Sequence, residues 1–261
     1  MSEQNPVVDE AEEKHRSRAI YILPNLFTTA ALFAGFYAIV QAMNGRFEQA
    51  AVAIFVAMVL DGLDGRVARL TNTQSQFGAE YDSLSDMVAF GAAPALVTYE
   101  WALKDLGKLG WIAAFIYCVS AALRLARFNT NIAVVDKRFF QGLPSPAAAA
   151  LLTGFVWVMI DNNFTDASTF VGIPVRYLAC GFAVFAGVSM VTNVLFWSGK
   201  DINLRRAVPF AVPLVFVGVL AAVSSYPPGV LFGLFVCYGL SGYVMSVVRR
   251  VRKLRAAPAQ K

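Results

Sequence analysis

The sequence predicts an all-α fold: a polytopic membrane helix bundle of about eight transmembrane helices with both termini in the cytoplasm. Three observations predict it. Hydrophobic residues fill 57% of the 261 positions and charged residues only 15%, where a soluble domain carries about 25%. The mean hydropathy is +0.57, which is more apolar surface than a soluble chain of this size can hide from water. The basic residues also segregate to one side once the apolar runs are made to alternate across a bilayer.

In order along the chain, residues 1–18 are polar and mixed in charge. They predict a disordered tail or a short surface helix, and they lack the charged, apolar and cleavage regions of a signal peptide. Eight apolar runs follow, at about 25–43, 48–68, 79–99, 109–127, 144–160, 172–196, 207–224 and 229–248. Each is near the roughly 20 residues that cross a bilayer, 144–160 and 207–224 being the shortest of them. Polar or turn-forming segments divide them, among them Asn44-Gly45-Arg46, Thr71-Asn72-Thr73-Gln74 and Pro227-Pro228. Small residues such as Ala147 to Ala150 and Gly181-Phe182-Ala183 let helix backbones approach closely in lipid.

Orientation follows from Lys and Arg. With the N-terminus inside, the outer loops hold only Arg46, Lys104, Lys108 and Arg176 of the 22 basic residues. The inner side holds Lys14, Arg16, Arg18, Arg66, Arg69, Arg124, Arg127, Lys137, Arg138, Lys200, Arg205, Arg206, Arg249, Arg250, Arg252, Lys253, Arg255 and Lys261. A net charge of +5 and a pI of 9.2 therefore read as basic loops facing anionic lipid, with no nucleic-acid partner. The single histidine, His15, lies in the polar tail and excludes a deep Ser-His-Asp triad. Cys118, Cys180 and Cys237 are far apart and form no CxxC, which argues against a zinc site or a disulfide framework.

The acids are unevenly placed. Asp61, Asp64, Glu80, Asp82 and Asp86 crowd one short window, five more sit in the tail, and the remainder of the 17 are scattered. Spacings of three and four put Asp61 with Asp64, and Asp82 with Asp86, on single helix faces. The short turn between the second and third runs makes those helices antiparallel neighbours, so four carboxylates converge at the cytoplasmic edge of the membrane. Bare, they would repel; cations would neutralise them. Hard oxygen ligands without Cys or His favour Mg²⁺, Mn²⁺ or Ca²⁺, and two divalent cations would balance four charges, an arrangement used in phosphoryl transfer. Gly62, Gly65 and Gly78 permit a ligand to approach the backbone, and Arg69 is placed to meet a phosphate. Glu80 is peripheral to this set.

Residues 61–86 read DGLDGRVARLTNTQSQFGAEYDSLSD. This resembles the signature of the CDP-alcohol phosphatidyltransferases, with Asp61, Asp64, Gly65, Ala68, Arg69, Gly78, Asp82 and Asp86 at every fixed position. The segments at 21–28, 89–95, 124–129 and 142–147 are further similar to the serine-accepting, membrane-integral branch of that family. The resemblance covers about residues 20–160. It implies a six-helix membrane core at 19–197, preceded by the tail at 1–18 and followed at 198–261 by two additional helices and a basic tail.

The resemblance implies transfer of the phosphatidyl group from CDP-diacylglycerol to L-serine, giving phosphatidylserine and CMP. Asp61, Asp64, Asp82 and Asp86 would hold two Mg²⁺ or Mn²⁺ ions, the first three as the main ligands, and Asp86 would also be the general base. Asp61, Asp64, Gly65, Ala68, Arg69, Gly78 and Asp82 would bind CDP-diacylglycerol. Arg124, Arg127 and Asn129 would bind the serine carboxylate or a phosphate, with Ser83, Ser85 and Ser145 as small neighbours. A homodimer in a bacterial inner membrane, its site facing the cytoplasm, is also implied. Alternatives are the same transfer to glycerol 3-phosphate, inositol phosphate or choline and, more distantly, an ion-coupled transporter. An intramembrane prenyltransferase would need a second Asp-rich motif, which the later runs lack.

Overall fold

A computed structural model describes residues 6–130, 139–198 and 211–256. The inner-side cations Lys137, Arg138, Lys200, Arg205, Arg206 and Lys261 lie outside the described residues. The first helix, α1 (Pro6–Met43), begins well before the first apolar run and continues through it without a break. A tight turn at Gly45 (φ 71°) reverses the chain into α2 (Phe47–Leu70). Ala34, Ala38 and Ala42 repeat at helical spacing on α1 and are buried in one cluster with Ala50, Ala53, Ile54 and Ala57 of α2. Small side chains on both faces let this antiparallel pair pack backbone against backbone, as helices in lipid prefer.

The third apolar run is helical throughout but irregular. It comprises α3 (Gln76–Asp86), a π turn at Met87–Ala92, α4 (Ala93–Thr98) and a second π turn at Tyr99–Leu103. Pro94 has no N–H to return to the carbonyl of Phe90, four residues earlier. Tyr117, fully buried on α5 (Lys108–Thr130), supplies the missing donor: its hydroxyl donates to Phe90 O at 2.9 Å. The orphaned carbonyl thus becomes a bolt between the third run and α5. On the opposite flank, a Cβ on Gly35 would lie 2.6 Å from Ala89 Cα, so α1 sits directly on the same π turn. π turns concentrate at functional sites, and this one begins at the residue after Asp86.

The remaining elements are β1 (Phe139–Gln141), α6 (Ser145–Asp161), β2 (Thr169–Phe170), β3 (Ile173–Pro174), α7 (Val175–Val191), β4 (Leu195–Trp197), α8 (Ala211–Ser225) and α9 (Pro227–Ala256). Two short antiparallel ribbons, β1 with β4 and β2 with β3, amend the all-α expectation. Both lie at helix ends, where backbone groups that a helix leaves open must find partners. β4 also ends the run at 172–196 as a helix, since α7 stops at Val191.

Leu23–Met43, Lys108–Thr130 and Pro227–Arg249 are each long and apolar enough to cross a membrane, and the protein is an integral membrane protein. α6 is shorter, at 17 residues. It is buried almost all round, from Ser145 through Met159, as expected of a helix that is apolar on every face. Large apolar side chains on other helices are exposed, including Phe33, Phe36, Trp111, Phe115, Leu214, Val217 and Val244. These are the faces that lipid would cover.

Candidate functional site

α2 and α3 carry the four aspartates, joined by a turn in which Asn72 takes φ 53° and Ser75 caps α3 by accepting the Gly78 N–H at 3.0 Å. The hairpin brings the acids together as their spacing predicts. Asp61, Asp64 and Asp82 each offer a carboxylate oxygen within 4.8 Å of the others, and no other such group of His, Cys, Asp or Glu converges among the described residues. Asp86 completes the set by lying against Asp61, while Asp64 lies against Asp82. Each contact joins α2 to α3. Glu80, on the other face of α3, is exposed.

Two ionised carboxylates about 4 Å apart repel by about 4 kcal/mol at an effective dielectric of about 20. Two such contacts in one place need compensation. Asp64 receives part of it from Thr28 of α1, whose hydroxyl donates to Asp64 Oδ2 at 2.7 Å and also lies 3.2 Å from Pro24 O. Ser85 donates to the Thr28 carbonyl at 3.1 Å, and the Thr29 and Tyr81 hydroxyls meet at 2.9 Å, so α1 is fastened to both acidic helices. Asp82 is left without such help: its Oδ1 is buried and has no hydrogen-bond donor. A buried anionic oxygen of this kind is matched to a cation. With an all-carboxylate donor set, the residues fit a hard divalent ion.

A cavity of about 370 Å³ opens over Asp64 and Asp82. Asn25, Gly65, Ala68, Arg69, Ser75 and Gly78 form its walls, which brings together six of the eight signature positions. The Arg69 guanidinium folds back over Gly65, 3.6 Å from where a Cβ would stand. The cavity therefore has an acidic floor, a wall of small residues and one cationic edge. That arrangement suits a polyanion held through cations, with room for its backbone-hugging part and a guanidinium for its charge.

Arg124, Arg127 and Asn129 all leave the last turns of α5 near this hairpin, but in different directions. Arg124 faces Asp86 and donates from Nη1 to Ser145 Oγ at 2.7 Å; its Nε is buried and unpartnered. Arg127 turns away. Its guanidinium donates to Gln141 O at 2.8 Å, Val191 O at 3.1 Å and Met190 O at 3.2 Å. These are the open carbonyls at the end of α7 and in β1, where a cation is favoured by the helix dipole as well. The shared helix face inferred from the spacing of Arg124 and Arg127 thus does not give them a shared partner. Asn129 pairs with Ser83, its amide donating at 3.0 Å.

Thr28 is the site residue that the sequence offered without a role. Its hydroxyl reaches the Pro24 carbonyl one helical turn back, as helical threonines commonly do, so its contact with Asp64 left no mark in the sequence.

A family model described as CDP-alcohol phosphatidyltransferase matches residues 21–196. Among curated relatives, a CDP-diacylglycerol–serine O-phosphatidyltransferase of Helicobacter pylori strain J99 is 39% identical over 236 residues, covering 88% of this chain and 94% of the relative. One of the same name from Mycobacterium tuberculosis strain H37Rv is 42% identical over 212 residues, covering 79% and 68%. Another from Methanocaldococcus jannaschii is 48% identical over 102 residues, covering 39% and 47%.

Proposed function

The chain belongs to the CDP-alcohol phosphatidyltransferase family, and on that premise we propose that it transfers the phosphatidyl group of CDP-diacylglycerol to the hydroxyl of L-serine, releasing CMP. The observation that carries this reading is the four-aspartate hairpin, with the buried, partnerless Asp82 Oδ1 on the floor of a cavity walled by the signature residues. The extent of the likeness to relatives named as serine O-phosphatidyltransferases favours serine over the other alcohols.

Asp61, Asp64 and Asp82 would hold two divalent cations, Mg²⁺ or Mn²⁺, with Asp86 completing the set. When bound, such ions supply charge neutralisation for the diphosphate and for the departing CMP. Gly65, Ala68 and Gly78 leave space for the nucleotide half of CDP-diacylglycerol, and Arg69 meets a phosphate oxygen. Thr28 fixes the rotamer of Asp64, which holds the ligand oxygen in place. The serine hydroxyl oxygen attacks the lipid-bearing phosphorus as the bond to CMP breaks. Asp86 takes the hydroxyl proton; a carboxylate in reach of that proton is what the step requires.

Arg124 is the group placed for the serine carboxylate, because it faces Asp86 and has an unpartnered donor. Asn129 ties the end of α5 to α3 through Ser83, and Arg127 holds the surrounding backbone. The division into a tail at 1–18, a six-helix core at 19–197 and two appended helices at 198–261 belongs to the same reading. So do eight spans with both termini and the site at the cytoplasmic face of a bacterial inner membrane, supported by the one-sided distribution of Lys and Arg. Homodimerisation is the assembly the family resemblance implies.

The test uses isolated membranes supplied with CDP-diacylglycerol, Mg²⁺ or Mn²⁺ and one alcohol at a time. CMP release with serine is expected. Release with glycerol 3-phosphate or inositol phosphate but not with serine would overturn the acceptor assignment.

A further inference from the structure

α9 lies beyond the residues matched by the family model, yet it grips the side of the site that carries Arg124. Phe196 of β4 is fully buried. Gly242 lies against its ring: a Cβ there would stand 2.5 Å from the nearest ring atom, so a larger residue fits only if the Phe196 ring shifts. One turn earlier, the Tyr238 hydroxyl donates to Trp197 O at 3.1 Å, and the Tyr238 ring lies 5.9 Å from that of Phe196. One residue after Gly242, Tyr243 sets its ring edge-on to Phe196 and shares a 2.7 Å hydrogen bond with Ser189 of α7.

The contacts run on from β4 to Arg124. β4 pairs with β1 through Phe196 and Phe140. The Gly142 N–H donates to Val194 O at 2.8 Å, and the Leu143 N–H to Ser189 O at 2.9 Å. Gly142 takes φ 80°, and a Cβ there would collide with Met190 O and the Arg127 guanidinium, so the loop has no slack. Three residues later, Ser145 accepts the Arg124 hydrogen bond at 2.7 Å.

We propose that Tyr238, Gly242 and Tyr243 of α9 are positioning residues that fix the loop bearing Ser145, and through it Arg124, and so set the affinity for the acceptor alcohol. The CDP-diacylglycerol side, built on α1, α2 and α3, makes none of these contacts; α9 meets it elsewhere, where Phe235 lies 6.3 Å from Phe55 of α2. A helix outside the segment matched by the family model thereby tunes how strongly the core holds its alcohol. The proposal rests on the reading that the Arg124 side receives the acceptor.

The test places Tyr238→Phe, Gly242→Ala and Tyr243→Phe in the full chain and measures KM in isolated membranes, for CDP-diacylglycerol and for whichever alcohol the wild type uses. Tyr238→Phe removes one oxygen and keeps the ring, so it probes the clasp while leaving the packing intact. The acceptor KM is expected to rise about fivefold, the effect of one ordinary hydrogen bond transmitted to binding. The CDP-diacylglycerol KM should stay within about twofold. Gly242→Ala and Arg124→Lys should be non-additive, because they act on one contact path. An unchanged acceptor KM, or equal movement of both KM values, would overturn the clasp. Wild-type activity with an alcohol other than serine would instead overturn the serine assignment, and the clasp is then judged on that alcohol's KM.

Discussion

The acidic side of the site draws Asp61, Asp64, Gly65, Ala68, Arg69, Gly78 and Asp82 from a single helical hairpin, and Asp86 follows in the same helix. The side carrying Arg124 is assembled from α5, α6, α7, the β1–β4 ribbon and α9. In the first case, local helix geometry does the work: residues three and four apart share a face, and a short turn folds the two faces together. In the second, partners separated by 21 residues (Arg124 and Ser145) or by 64 (Arg127 and Val191) must be delivered by the whole bundle. The acidic hairpin is therefore a portable unit, and the Arg124 side is a property of this particular fold.

That contrast gives an order of expected effects. The largest belong to the hairpin. Asp86→Asn should lower kcat by about 10²- to 10⁴-fold, the usual range for loss of a positioned general base. Removing divalent cations with a chelator should abolish CMP release, and Mg²⁺ or Mn²⁺ should restore it; turnover that persists without cations would break the hairpin's assigned chemistry. Thr28→Val should weaken cation affinity about 10- to 100-fold, as loss of a ligand's supporting hydrogen bond does. This is read as a rightward shift in the Mn²⁺ concentration for half-maximal activity. Equal cation dependence in Thr28→Val and wild type would mean that Asp64 needs no help from α1.

The Arg124 side should respond differently. Arg124→Lys keeps the charge but loses the fork, and should raise the acceptor KM about tenfold with little change for CDP-diacylglycerol. Arg127→Ala should act on stability first, because it leaves several carbonyls unmet; a loss of about 2–3 kcal/mol is expected, read as a lower thermal midpoint in detergent. Should Arg127→Ala raise the acceptor KM with an unchanged midpoint, the two arginines would be partners in binding after all. The smallest effect expected is Tyr117→Phe, which orphans the Phe90 carbonyl at a cost of about 1–3 kcal/mol in stability and leaves both KM values near wild type.

The same contrast explains what the sequence could and could not reveal. The membrane class, the positions of the apolar runs and the convergence of the four aspartates depend on composition, periodicity and one short turn, all of which are local. The irregular third run was partly legible, since Pro94 announces a broken hydrogen-bond ladder, but the donor that repairs it, Tyr117, belongs to another helix. The enclosure of α6 was not legible either, because length alone cannot distinguish a lipid-facing helix from one surrounded by its neighbours. The diverging paths of Arg124 and Arg127 were hidden for the same reason: helical spacing places two side chains on one face, and the open carbonyls of a distant helix end decide which of them is taken up.

The most direct test of the central claim measures CMP and phosphatidylserine together in membranes given CDP-diacylglycerol, serine and Mn²⁺, for the wild type and for Asp86→Asn. The account predicts one CMP per phosphatidylserine in the wild type, none without a divalent cation, and a fall of at least about 10²-fold in the variant. Full activity in Asp86→Asn, or stoichiometric product formed without any divalent cation, would contradict it.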